Sequence, residues 1–176
     1  MTLWTIGHST LEWGAFLGLL QGNGIEAVAD VRRFPASRRH PHFSAGHLQH
    51  ALGKAGIGYA PFPDLGGRRS PRPGSANTAW RNASFRGYAD YMETAEFQGA
   101  LARLLELAAG KRTAIMCAEA VWWSCHRGLI ADALKASGVE VLHIAGPGAP
   151  KPHPYTSAAR LVNGKLSYSA EQAPLL

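Results

Sequence analysis

The sequence predicts an α/β fold: a single domain over residues 1–176, with a mainly parallel central sheet of about five strands, helices on both faces and a C-terminal hairpin. Three observations carry this expectation. Short apolar runs alternate with segments of helical period, the pattern of strand–helix–strand units joined by right-handed crossovers. Clusters of Gly and Pro separate the two kinds of segment. Near the end, Asn163-Gly164 lies between short runs at a spacing that favours a two-residue hairpin turn.

Taken in order, "LWTIG" (3–7) is apolar and short enough for a buried strand. Ser9 with Glu12 three residues on forms a capping-box pattern, and Trp13, Phe16, Leu17 and Leu20 give the following helix an apolar stripe ended by Gly22 and Gly24. "EAVADV" (26–31) predicts a second strand. Ser44 predicts a cap for a helix over 45–55 that stops at Gly56, and "IGYAPF" (57–62) predicts a third strand. Residues 63–84, rich in Pro, Gly, Ser and Arg and without period, read as a long loop. The stretch 86–109 reads as two helices broken near Gly99. A strand over 113–118, a helix over 125–136 and a strand over 139–145 complete the alternation, and residues 146–176 form a proline-containing tail and hairpin.

Charge is unevenly placed. The net charge is +6, yet residues 31–89 hold ten Lys/Arg against one acid, Asp64, while the remainder holds eight against eleven. Nine of those ten are Arg, whose planar fork of donors suits phosphate or carboxylate, and Phe34, Phe43, Trp80, Phe85 and Tyr88 are interleaved with them. That composition points to a nucleic acid or nucleotide as partner. No apolar run reaches the roughly 18 residues of a membrane span. The start "MTLWTIGHST" lacks a signal-peptide pattern, and two cysteines do not make a disulfide framework, so a cytoplasmic location with reduced thiols is expected.

In an open parallel sheet, ligands bind outside the carboxyl ends of the strands. His8 follows the first expected strand, Asp30, Arg32 and Arg33 the second, Asp64 the third, and Cys117 and Glu119 the fourth. The stretch "CAEAVWWSCHRGLIADAL" (117–134) holds both cysteines. It places Ser124 or Cys125 at a helix cap, with His126 and Arg127 in the first turn. A helix N-terminus binds anions and lowers the pKa of a nearby thiol, so at least one of Cys117 and Cys125 is expected to be a thiolate near neutrality. Trp122 and Trp123 cannot both face the core, and one is expected at the site. Arg38 and Arg39 offer a second pair of phosphate forks. Gly66 and Gly67, beside Arg68 and Arg69, permit close backbone approach to a ligand. His40 and His42 lack further ligands at metal-binding spacing, so no metal and no cofactor are expected. Walker, dinucleotide-binding and nucleophile-elbow patterns are absent.

Together "TIGHST" (5–10), "DVRRFPASRRHPHFS" (30–44), "LGGRR" (65–69), "FRGYADYM" (85–92) and "CAE…CHRGLIADAL" (117–134) resemble the Domain of Unknown Function 488 family over roughly residues 3–145. The resemblance implies a site built from His8, Asp30, Arg32, Arg38, Gly66, Gly67, Tyr88, Cys117, Glu119, Cys125, His126 and Arg127. A looser likeness to rhodanese-like domains would make the strand-end Cys117 a nucleophile, although nine residues separate Cys117 from Arg127, unlike the short loops of that class. The leading expectation is an enzyme acting on a nucleotide or nucleic-acid substrate in an Arg-rich cleft. Asp30, Cys117, Glu119 and His126 would be its catalytic groups, and Arg32, Arg33, Arg38, Arg39, Arg68, Arg69 and Arg127 would bind phosphate. His8, Gly66, Gly67, Tyr88, Trp122 and Cys125 would line the site. The alternatives are a cysteine-dependent sulfur- or phosphoryl-transfer enzyme of rhodanese-like form, and a nucleic-acid-binding module without catalysis. Oligomeric state is left open.

Overall fold

A computed structural model describes residues 1–171; the last five residues of the expected tail lie outside them. Five parallel strands form the sheet: β1 (Thr2–Gly7), β2 (Ala27–Asp30), β3 (Gly58–Pro61), β4 (Thr113–Cys117) and β5 (Glu140–Ile144). A short strand, β6 (Lys151–Pro152), adds antiparallel to β5, giving the order β3-β2-β4-β1-β5-β6. Sequence pattern missed β6 because two residues carry no period, and its proline is tolerated because the strand lies at the sheet edge. The hairpin pairs β7 (Arg160–Val162) with β8 (Lys165–Ser167). Asn163 and Gly164 both have positive φ, 52° and 76°, as its tight turn requires.

Strand order fixes where the helices go. The connections through α1 (Trp13–Gly22) and α2 (Ala45–Lys54) run toward β3, and those through α3 (Ala83–Met92), α4 (Ala95–Gly110) and α5 (Arg127–Ala136) run back toward β5. Crossovers of one hand therefore put the two sets on opposite faces. The core divides accordingly. Phe16, Leu20, Leu48 and Leu52 pack on Trp4, Ile6, Ala114 and Met116. Tyr88, Phe97, Leu104, Ile130 and Leu134 pack on Leu3, Ile115, Cys117 and Val141. Alternation along β4 thus sends Met116 to one face and Cys117 to the face of α5.

Three local expectations shift. The first helix begins at Trp13 and not at Ser9, because His8 N–H and Ser9 N–H extend the sheet pairing to Cys117 O (2.9 Å) and Ala118 O (3.0 Å). Ser9 consequently sits at φ 45°, outside the helical region, and no capping box forms. The helical stretch after the long loop breaks at Glu93-Thr94 and not near Gly99, which lies inside α4. There Thr94 Oγ1 accepts the Phe97 N–H at 3.3 Å and caps the new helix. Finally, a 3-10 turn at Trp122–Ser124 delays α5 to Arg127. The long loop is tied down by the buried Asp90, which accepts from Arg72 N–H, Ser75 O–H and Asn77 Nδ2.

Replacing Thr94 with Ala removes that cap while leaving the helix interior intact. It should lower stability by roughly 1 kcal/mol, read as a reduced urea midpoint with an unchanged slope.

Candidate functional site

The connection leaving β2 crosses one face toward β3, whereas that leaving β4 crosses the other toward β5. Between their carboxyl ends the chain diverges and a crevice opens. Register sets Gly7 beside Cys117 and Asp30 beside Met116, so three strand ends deliver their following residues at one level. A cleft of about 370 Å³ lies there.

One wall is built on Asp30. Arg32 Nε and Nη2 reach its two carboxylate oxygens at 2.8 and 2.7 Å, and Tyr59 O–H donates to Oδ2 at 2.6 Å. Arg32 Nη1 donates to Phe43 O at 2.7 Å and lies 3.4 Å from His8 Nε2. This buried, bidentate pair is saturated by its neighbours. Asp30 therefore stands behind the wall, holding Arg32, and does not line the cleft. His8 stacks on Phe43 with ring centroids 4.3 Å apart, and its Nδ1 is 3.0 Å from Ser9 O. Burial, seconded by Arg32, pushes its pKa down to about 4. A neutral ring follows, with Nδ1–H donating and Nε2 accepting.

The floor is the thiol pair. Cys117 Sγ and Cys125 Sγ lie 3.0 Å apart, and both side chains are buried. Cys125 Sγ accepts from Arg127 N–H at 3.3 Å and from Arg127 Nε at 3.4 Å. Cys117 faces a carbonyl, Glu119 O, at 3.8 Å. The two sulfurs are therefore inequivalent. The Cys117 thiol donates to Cys125, and with Arg127 and His126 beside it Cys125 is driven well below its ordinary value. Burial and the neighbouring thiolate push Cys117 up. Cys125 is the thiolate and Cys117 holds the proton.

Arg127 is only 1% exposed, and no carboxylate pairs with it among the described residues. Its Nη2 donates to Glu119 O at 2.7 Å, an approach that needs Gly7, where a Cβ would lie 1.7 Å from that oxygen. Its Nη1 donates to Thr5 Oγ1 at 3.3 Å, and from there a buried chain runs away from the cleft. Thr5 Oγ1 is 2.6 Å from His143 Nδ1, His143 Nε2 is 2.8 Å from His153 Nδ1, and His153 Nε2 is 2.8 Å from Asp132 Oδ1. A carboxylate only accepts, so the last link runs from His153 Nε2–H to Asp132, and at the other end Arg127 donates to Thr5; Thr5, His143 and His153 join the two charges. Asp132 also accepts from Thr156 N–H, Thr156 O–H and Tyr168 O–H. Burial first, then His153 and Arg127, depress the pKa of His143 to about 3, consistent with its neutral place in the chain.

The rim carries charge and aromatic surface. Phe34 is 62% exposed, with the guanidinium carbons of Arg33 and Arg68 at 5.4 and 5.8 Å from its ring centroid. Arg33 Nη1 donates to Arg68 O at 2.8 Å. Tyr88 is anchored by O–H to Leu65 O at 2.7 Å and packs against His126, whose Nε2 is 2.8 Å from Val31 O. Gly66 and Gly67 let this layer close. A Cβ at Gly66 would meet the Arg33 backbone at 2.6 Å, and one at Gly67 would lie 3.0 Å from His126 Nδ1.

Of the residues singled out from sequence, His8, Arg32, Arg33, Gly67, Arg68, Tyr88, Cys117, Glu119, Cys125 and His126 line the cleft. Asp30, Gly66 and Arg127 sit immediately behind it. Arg38 and Arg39 are exposed and outside it, Arg69 lies over the Tyr91 ring at 3.7 Å, and Trp122 stacks on His143 at 4.7 Å. Trp123 is exposed, also away from the cleft. Sequence reasoning missed Thr5, Gly7, Tyr59, Asp132, His143 and His153. The available signals were polar residues inside apolar elements, "LHI" in β5 and "IADAL" in α5. Among the described residues, no three His, Cys, Asp or Glu converge as metal ligands, and no helix is long and apolar enough to cross a membrane.

The lowered values of His8 and His143 carry a pH dependence. Both rings fold neutral, so their contribution is fully present above the ordinary value of 6.5 and is lost as pH falls through about 4 and about 3. The Cys125 thiolate adds a loss of the same sign, beginning as pH falls below its ordinary value of 9.0 and complete at about 4. Urea midpoints should therefore begin to fall below about 9 and fall more steeply below about 6.5, and a midpoint constant from neutral pH into the acid range would contradict these assignments.

No curated protein and no solved structure matches the chain. A family model described as "Domain of unknown function DUF488" matches residues 12–134, which span β2, the cleft loops, β4 and almost all of α5. The matched stretch is well over half of the chain, and the protein belongs to the DUF488 family.

Proposed function

We propose that the cleft is the active site of an enzyme acting on a nucleotide or nucleic-acid substrate, with Cys125 as the attacking thiolate. The observation that carries this reading is the Cys125 sulfur held against a buried arginine at the floor of a cleft with two guanidiniums and an exposed phenyl ring at its rim. Such a floor supplies a nucleophile at neutral pH. Arg33 and Arg68 are placed to fork phosphate oxygens while Phe34 stacks a base between them. Glu119 and His126, both on the wall, are the groups available to move protons. Asp30 acts through Arg32 as a positioning residue, and Arg127 acts through Cys125.

Sulfur or phosphoryl transfer through Cys125 is the reaction class favoured by the thiolate itself. Binding of a longer strand is favoured by Arg38 and Arg39, which extend the positive surface outside the cleft. The two are separable by salt. Affinity for a polymer falls by roughly 0.7–0.9 log units per log unit of salt for each phosphate contacted. A mononucleotide enclosed in the cleft shows a much shallower slope.

Fluorescence anisotropy with labelled single- and double-stranded oligonucleotides, with mononucleotides as competitors, tests the reading at low and moderate salt. Phe34→Ala should cost about 1–3 kcal/mol in single-strand binding. Joint replacement of Arg33 and Arg68 should abolish competition by mononucleotides. If no oligonucleotide binds at low salt and no mononucleotide shifts the melting temperature, the proposal fails.

A further inference from the structure

Cys117 and Cys125 have a second capacity that a nucleophile alone does not require. A nucleophilic thiolate needs a counter-ion and access, and Arg127 and the cleft supply both. Here a second, protonated thiol lies 3.0 Å from the thiolate, on the adjoining strand end. A disulfide bond is about 2.05 Å long, so the sulfurs need close by only about 1 Å. We propose that Cys117 and Cys125 are a dithiol–disulfide couple that exchanges with small anionic disulfides of the glutathione type.

The exchange balances with that co-reactant alone. The Cys125 thiolate attacks one sulfur of the disulfide, whose S–S bond breaks. A mixed disulfide forms on Cys125 and a thiolate leaves. The departing thiolate takes the Cys117 proton. Cys117 sulfur then attacks Cys125 Sγ, breaks the mixed disulfide and releases the second small thiolate. Two electrons pass from the protein thiols to the small disulfide, which ends as two thiol equivalents. Arg33 and Arg68 at the rim suit an anionic co-reactant.

Arg127 sets the poise of the couple. Oxidation removes the thiolate, the one anion in contact with this buried guanidinium among the described residues. A buried charge without its partner is costly, so the oxidised form is disfavoured and the couple is a ready oxidant, easily reduced. The oxidised protein also lacks its nucleophile, which silences the proposed reaction. The inference depends on the thiol geometry and on no particular substrate.

Incubation in glutathione buffers of varied ratio, read by intact mass and free-thiol count, tests it. Excess glutathione disulfide should remove both thiols together with the loss of two hydrogens and no retained adduct, and dithiothreitol should restore them. In predominantly reduced glutathione both thiols should remain free. Cys117→Ser should retain one glutathione on Cys125, and Cys125→Ser should resist reaction. A wild type that keeps a stable glutathione adduct, or retains both thiols in excess disulfide, overturns the proposal. Oligonucleotide and mononucleotide binding, measured on the reduced protein, reports separately on the cleft, so the two readings can fail independently.

Discussion

The site depends on one buried cation. Arg127 begins α5, is almost wholly enclosed, and has no carboxylate beside it among the described residues. A guanidinium in that position is tolerable only if its surroundings supply negative charge and acceptors. They do so on two sides. Toward the cleft it meets the Cys125 thiolate and the Glu119 carbonyl, and away from the cleft it meets Thr5 and the histidine chain that ends on Asp132. The anion nearest the cation is therefore a sulfur, the most reactive side-chain anion available. The carboxylate is kept three side chains away.

Each layer of the fold contributes to that arrangement. Alternation in β4 turns Cys117 to the α5 face, and the pairing of β1 with β5 brings Thr5 opposite His143. The antiparallel β6 leads into His153, and the loop that follows supplies Thr156 as a further donor to Asp132. Gly7 leaves room for the Glu119 carbonyl to reach the guanidinium. On the opposite wall, Asp30, Arg32 and Tyr59 form a second saturated cluster that fixes the edge against which His8 and Phe43 stack. The cleft thus has two rigid polar supports, and its adaptable parts, Arg33, Phe34 and Arg68, lie outside them.

Much of this was legible beforehand and some was not, for identifiable reasons. The strands of the parallel sheet announce themselves as buried apolar runs, and ligands of such sheets bind outside the carboxyl ends of the strands, so the site edge could be read from His8, Asp30 and Cys117, whereas strand order could not. The concentration of Cys117, Glu119, Cys125, His126 and Arg127 at one strand–helix junction marked the floor. Spacing does not reveal direction, however. Arg38 and Arg39 look equivalent to Arg32 and Arg33 in sequence, yet only Arg32 meets a carboxylate. Asp132, His143 and His153 were illegible as a set because they lie in α5, in β5 and in the tail after β6, and no spacing in the sequence connects them. Only the β1–β5 pairing and the return of the tail along β5 bring them into one chain. Trp122 stacks on His143, outside the cleft that the sequence had assigned it to.

The pairing of Arg127 with Cys125 requires a thiolate at neutral pH, and thiolate absorbance in the ultraviolet reads it directly. Titrated against pH in the native protein and in Cys125→Ser, the difference between the two should already be present at neutral pH and should vanish only on acidification. A difference that emerges only near 9.0, the ordinary thiol value, would show Cys125 protonated in the folded protein and would contradict the pairing with Arg127.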